Sequence, residues 1–127
     1  MLFVAVLFAG IATLVHVYIF VLETLRWEKP ATRKAFGISS EDARVTKPLA
    51  ANQGVYNLLL AIVTAVGFVM LATSQSDAGA ALLLAGTGSM VVAATYLLAT
   101  DRTKVRPALV QGMAPLVAVV ATVIWLA

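Results

Sequence analysis

This sequence contains no cysteine and only one histidine. The absence of cysteine excludes a disulfide framework. It also leaves the single histidine without thiol partners, whereas zinc sites take three or four ligands largely from these residue types. A phosphate-binding Walker loop and the nucleophile elbow of hydrolases are missing from the sequence as well. We therefore expect no metal and no cofactor.

Charged residues are also scarce, at 12% of the chain against 61% hydrophobic residues and a mean hydropathy of +0.97. A soluble globular domain carries about 25% charged residues, so the composition excludes one. Four stretches exceed the roughly 18 mostly apolar residues that cross about 30 Å of hydrocarbon. The predicted helices are about 2–25, 49–73, 78–100 and 106–127. We expect the first to remain as a helix, because it lacks the basic n-region of a signal peptide.

The predicted fold is an all-α integral membrane four-helix bundle, up-down and antiparallel, in a single transmembrane domain over residues 1–127. The second and third connections are short, so helices adjacent in sequence should be adjacent in space. The first connection, 26–48, is long for a compact bundle. Its Ser-Ser-Glu-Asp sequence at 39–42 fits a helix N-cap and predicts a short interfacial helix from about Ser40 to Thr46. The connection is then either a loop resting on the lipid surface or a lid over a pocket.

Lysine and arginine are absent from both termini and from the 74–77 connection. All nine lie in or beside the first and third connections: Arg26, Lys29, Arg33, Lys34, Arg44, Lys47, Arg102, Lys104 and Arg106. The positive-inside rule places these two connections in the cytoplasm and both termini outside. The net charge of +3 is thus a topology signal. We expect the lipid bilayer as a partner and no nucleic acid.

Polar side chains inside the spans are the candidate functional residues. At 1.5 Å per residue, His16 lies about 15 Å inward from Arg26, and Glu23 about 4–5 Å inward on the same helix face. The second span begins from the same side with Ala-Asn-Gln-Gly-Val-Tyr-Asn at 51–57. Matching the depths predicts a polar pocket that opens to the cytoplasm. Its predicted lining is His16, Glu23, Asn52, Gln53, Tyr56 and Asn57, together with Tyr96 and Gln111 from the third and fourth spans.

Structural roles would account for the same residues. Glu23 could pair with Arg26 at the interface, and His16 could hydrogen-bond a neighbouring helix. The amides of the second span could hold helices together, with Gly54 allowing a close approach. Trp27 is typical of an aromatic anchor at the membrane surface. Small residues recur every four positions in the third span, which predicts a tight bundle, or a homodimer if this ladder faces outward. The ladder is Ala81, Ala85, Ser89 and Ala93.

Two separated motifs carry a family resemblance. The first is His-Val-Tyr-Ile at 16–19 with Leu-Glu at 22–23, Trp27 and Lys-Ala-Phe-Gly at 34–37; the second is Ala-Ala-Asn-Gln-Gly-Val-Tyr-Asn at 50–57. Together they resemble the small bacterial integral membrane proteins grouped as domain of unknown function 1304. The chain departs from that pattern at Leu58-Leu59, where family members commonly carry Gly-Phe. The resemblance implies a four-span protein of the bacterial plasma (inner) membrane and supplies no established activity.

Three functions fit these observations. The favoured one is binding or transport of a small or lipophilic ligand, with Glu23 and His16 exchanging protons for substrate; because four helices enclose little volume, transport would need a homodimer. The second is an acid–base enzyme, an isomerase or cyclase acting on a lipid or isoprenoid-like substrate, with His16 or Glu23 as the catalytic group. The third is a structural or accessory membrane subunit.

Overall fold

The computed structural model describes residues 1–73 and 75–127; the predicted 74–77 turn therefore includes one residue, Ser74, outside the described part. Helix α1 spans Leu2–Phe20 and continues as a π-helical turn, Val21–Leu25, which we call the π-turn. Helix α2 is Pro30–Phe36, α3 is Ser40–Leu71 and α4 is Ser76–Thr100. A 3₁₀ turn, Arg102–Lys104, leads into α5, Val105–Leu126.

The four long helices form a bundle, which confirms the predicted all-α fold. Each is long and apolar enough to cross a membrane: Leu2–Leu25, Ser40–Leu71, Ser76–Thr100 and Arg102–Leu126. Helix α1 packs against α3 and α5, and α4 packs against the same two helices from the opposite corner. We call the end of the bundle that carries the two lysine- and arginine-rich connections the basic end. The other end, which carries both chain termini, is the terminal end.

Close backbone contact holds α3 against α4. A Cβ added to Gly67 would lie 2.7 Å from the backbone nitrogen of Leu83 and 2.9 Å from the carbonyl oxygen of Gly79. No side chain fits at such a distance, so a glycine is required there. The predicted ladder does not make this contact, because its four members are exposed: Ala81, Ala85, Ser89 and Ala93. The ladder therefore faces outward, and tight packing uses other small residues of the same helix.

Helix α3 differs from prediction because it starts nine residues earlier than the expected boundary at 49. The predicted N-cap is present, since the Ser39 hydroxyl accepts a hydrogen bond from the Asp42 backbone N–H at 3.0 Å. The helix then continues through Pro48. This proline removes only the bond to the Arg44 carbonyl, and both residues are exposed, so water can hydrate that carbonyl. The expected interfacial helix is thus the first two turns of α3.

The projecting start of α3 and the 27–38 segment form a small folded unit that we call the cap. The Trp27 indole N–H donates to the Thr46 hydroxyl at 3.1 Å, and its ring meets Phe36 edge-on with centroids 5.0 Å apart. Trp27 therefore contacts protein through both its N–H and its ring. Sequence reasoning also missed α2, whose seven residues are too few for a clear periodic pattern.

Two lysines fasten the cap. Lys47 forms an ion pair with Glu28, which joins α3 to the segment before α2. Lys104 donates to the carbonyl of Phe36, the last residue of α2. A cation suits this position because the last carbonyls of a helix lack intrahelical donors. The connection expected as a surface loop or a lid is therefore tied both to α3 and to the turn before α5.

Candidate functional site at the α1–α3 contact

The π-turn places a carboxylate on the inward side of α1. Residues Ala5, Ala9, Ala12, His16 and Ile19 are buried at spacings of three and four, and Glu23 continues this series. Glu23 lies in the middle of the π-turn and is half-buried. In a π-turn each backbone hydrogen bond spans five residues, one more than in an α-helix, and such turns occur frequently at functional sites. Nothing in the sequence pattern indicated it.

Asn57 on α3 is the partner of this carboxylate. Its amide Nδ2 donates to Glu23 Oε2 at 2.9 Å and to the backbone carbonyl of Gln53, one turn earlier, at 3.1 Å. Asn57 thus links the α3 backbone to the π-turn. The alternative of a Glu23–Arg26 ion pair is not observed in the described residues, where the ion pair is Lys47–Glu28.

The two helices approach closely beside this pair. The Thr24 hydroxyl donates to the Ala51 carbonyl at 3.2 Å. A Cβ added to Gly54 would lie 2.2 Å from Thr24 Oγ1 and 3.1 Å from the Thr24 backbone nitrogen. Gly54 is therefore the residue that allows the close approach, as the helix-contact interpretation expected. Thr24 was missed, because an isolated threonine in an apolar helix gives no signal of its partner.

His16 is buried, at 1% exposure, and bonded within its own helix. Its Nδ1 lies 2.9 Å from the carbonyl oxygen of Ala12. Because a carbonyl only accepts, Nδ1 carries the proton in this arrangement and Nε2 is left as the acceptor. The seven residues to Glu23 correspond to about 10.5 Å along the helix. No hydrogen bond joins His16 to Glu23 or to a neighbouring helix in the described chain.

The other candidate residues are separated from this pair. Asn52 and Gln53 are exposed, as are Tyr56 at 59% and Tyr96 at 71%, whereas Gln111 is half-buried. These α3 side chains are separated from Glu23 because of their angular positions around the helix axis. Two residues correspond to about 200° around an α-helix. Because Gly54 faces α1, positions 52 and 56 face away from it. The structure brings together Glu23 and Asn57 and leaves the other polar side chains of the 51–57 motif on the surface.

Two grooves lie elsewhere on the bundle. The larger, about 600 Å³, is apolar and lies between α1 and α3 in the terminal half, whereas we expected a polar cavity in the other half. It is lined by Phe3, Val6, Leu7, Ala9, Gly10, Ile11, Thr13, Leu14, Thr64, Ala65, Phe68 and Val69. The second, about 480 Å³, lies at the basic end between α4 and α5. Glu23 and Asn57 line neither groove.

The distribution of side chains identifies the class of protein. The buried hydrophobic residues are mostly alanines, while most of the large apolar side chains of the four spans point outward. This is the arrangement expected in lipid, where large apolar side chains gain nothing by burial and small residues allow helices to approach. The chain is a multi-pass α-helical membrane protein.

Comparison with known families agrees with this class and with the motifs. The model of the family described as protein of unknown function DUF1304 matches residues 10–123. The match covers most of the chain, which therefore belongs to this family. A search of the curated proteins found no match. A search of the solved structures found none either.

Proposed function

We propose that this protein binds a small lipophilic ligand at Glu23, through a hydrogen-bond donor or a cationic group on the ligand. One observation carries the proposal. Asn57 bonds only Oε2 of Glu23, while Oε1 accepts no hydrogen bond from the described part of the chain and is not fully buried. An acceptor oxygen without a protein donor in the described residues is thus held in place inside an apolar span. Ionisable groups in such spans are costly, and by default they indicate a functional site.

The surroundings of Glu23 define the ligand class. The carboxylate lies on the π-turn, three residues before the basic connection begins at Arg26, and apolar helix faces continue from it toward the bilayer centre. A ligand with an amine or hydroxyl near the membrane surface and an apolar remainder fits this placement. The distribution of lysine and arginine supports entry from the cytoplasmic side.

Intrinsic fluorescence offers a direct test, because Trp27 is four residues from Glu23 and Trp125 is at the opposite end of the bundle. In a Trp125→Phe background, a long-chain alkylamine should change Trp27 emission on titration. A hydrogen bond to a charged group contributes about 1.5–3 kcal/mol, so Glu23→Gln should weaken binding at least about tenfold. Glu41→Gln, the same change at an exposed position, is the matched control.

Equal affinity in Glu23→Gln and the parent protein would refute the proposal, and so would an absence of binding by the parent. Native mass spectrometry of gently extracted protein adds a second readout. A co-purified molecule should be present in the parent and the Glu41→Gln variant and lost from Glu23→Gln. Recovery of the added ligand as an isomer, with unchanged mass but altered chromatographic retention, would indicate an acid–base enzyme of the isomerase or cyclase type in place of a binding protein.

If the protein transports its ligand, we propose a homodimer as the transporting unit. The outward-facing ladder on α4 supports this, since small residues on a lipid-facing helix surface allow a second helix to approach closely. Ala85→Cys, in the middle of the ladder, should cross-link between two copies in native membranes. Val120→Cys, at an exposed position on α5, should not. Equal cross-linking of both variants would contradict this interface.

A further inference from the structure

The groove at the basic end combines an apolar lining with one cation. It holds about 480 Å³ and is lined by Thr95, Leu98, Ala99, Arg102 and Val105. It lies where α4 ends and the 3₁₀ turn leads into α5, away from the Glu23 site on α1 and α3. The proposed function makes no use of it.

Two of the three exposed tyrosines, Tyr56 and Tyr96, indicate where this groove lies relative to the membrane surface. Thr64 on α3 contacts Gly86 on α4. Counting ten residues toward the basic end along each antiparallel helix brings position 54 level with Tyr96, since both helices rise 1.5 Å per residue. Tyr56 is within about 3 Å of that level. Exposed tyrosines at one level are typical of the belt at the membrane–water interface.

The groove therefore crosses the boundary between hydrocarbon and headgroups. Thr95 and Leu98 lie within about two residues of Tyr96, at the depth where acyl chains begin. Helix α4 continues four residues beyond Tyr96, which is roughly 6 Å farther toward the headgroup region, and Arg102 follows in the 3₁₀ turn. A lipid molecule has the same order of groups along the membrane normal, because its acyl chains lie in the hydrocarbon and its phosphate lies in the headgroup region.

Arg102 is the cation that lines this groove, and it is available to an external anion. Its neighbour Lys104 donates to the Phe36 carbonyl. The carboxylate of Asp101 accepts from the Thr103 backbone N–H and hydroxyl, at 2.9 and 2.6 Å. In the part of the chain that the structure describes, Arg102 has neither a hydrogen-bond acceptor nor an ion-pair partner.

We propose that this groove binds one anionic phospholipid. The Arg102 guanidinium forms two parallel hydrogen bonds with the phosphate. Its planar group suits this geometry better than the ammonium group of a lysine would. An acyl chain packs on Leu98 and Ala99. The basic cluster on the same side of the membrane raises the local concentration of anionic lipid.

Native mass spectrometry of the full chain in an equimolar mixture of phosphatidylglycerol and phosphatidylcholine with identical acyl chains tests this site. The protein should retain one phosphatidylglycerol in preference. A basic residue near an anionic surface contributes a binding free energy that corresponds to about a fivefold change in affinity. Arg102→Gln should therefore retain about fivefold less phosphatidylglycerol, with phosphatidylcholine unchanged. Arg102→Lys should keep most of the retention, and Arg44→Gln, exposed on the start of α3, should match the parent.

A second variant tests the apolar part of the site. Ala99→Phe fills the groove, keeps the charge of Arg102, and should also lose the retained lipid. Retention of phosphatidylglycerol by Ala99→Phe, or equal losses in the Arg102→Gln and Arg44→Gln variants, would overturn the proposal. Displacement of the lipid by inorganic phosphate at comparable concentration would show a phosphate site without a lipid tail, and would overturn it as well.

Discussion

Substitution of alanine for Gly54 tests the contact that holds Glu23 in place. The new Cβ would lie 2.2 Å from Thr24 Oγ1, 3.1 Å from the Thr24 backbone nitrogen and 3.1 Å from Glu23 Cβ. Ordinary van der Waals contact begins at about 3.4 Å. Either the Thr24 side chain must rotate, which breaks its bond to the Ala51 carbonyl, or α1 must move away from α3.

The expected cost follows from these contacts. Overpacking by one methyl group costs about 1–3 kcal/mol, and the lost interhelical hydrogen bond about 0.6 kcal/mol. Replacement of a helical glycine by alanine returns roughly 0.5–1 kcal/mol. We expect Gly54→Ala to lower the free energy of unfolding by about 1–2 kcal/mol. Gly88→Ala is the matched control, because no atom outside its own stretch of helix lies within 4 Å of the position of its added Cβ. It should be neutral or stabilising.

Unfolding by titration with sodium dodecyl sulfate in bicelles, followed by circular dichroism, measures both variants. A double-mutant cycle then identifies the cause. Adding Thr24→Ala to Gly54→Ala removes the obstructing Oγ1 and should recover part of the loss. Thr24→Ser retains Oγ1 and should recover less. If Gly54→Ala and Gly88→Ala change stability equally, the close approach does not exist as described.

Further predictions concern the bundle, the topology and the cap. Gly67→Ala should destabilise the protein more than Gly54→Ala, because the new Cβ at position 67 meets backbone atoms that no rotamer change can move. The same titration measures this loss, and a loss smaller than that of Gly54→Ala would contradict the contact. Cysteines introduced at Ser40 and Ser76 should label from opposite sides of the membrane, and labelling from one side would disprove the bundle topology. Trp27→Phe removes a donor to α3 but keeps an aromatic ring at this position, so hydrogen exchange should accelerate within the cap and not in α5. Asn57→Leu should cost about 0.6 kcal/mol in the same unfolding assay; a loss above 2 kcal/mol would assign this pair a larger structural role.

The number of spans followed from the sequence, because the free energy of moving a helix into hydrocarbon is a sum over its own residues. The N-cap of α3 could also be predicted from neighbouring residues, because the Ser39 side chain accepts a hydrogen bond from a backbone N–H only three residues ahead. Continuation of that helix through Pro48 was missed, because it depends on whether the unbonded carbonyl of Arg44 reaches water. The cap was missed because its contacts join residues distant in sequence, as Lys104 and Phe36 show.

The tertiary structure alone decided which face of each helix points inward. In water, the apolar face of a helix identifies the buried side, but lipid and protein interior are both apolar, so hydropathy does not distinguish them. The depth of Asn52, Tyr56 and Asn57 could be counted from the sequence, whereas the rotation of α3 could not. That rotation is fixed by where Gly54 fits against Thr24, which is a property of two helices together. It brings Asn57 to Glu23 and turns Asn52 and Tyr56 to the outside.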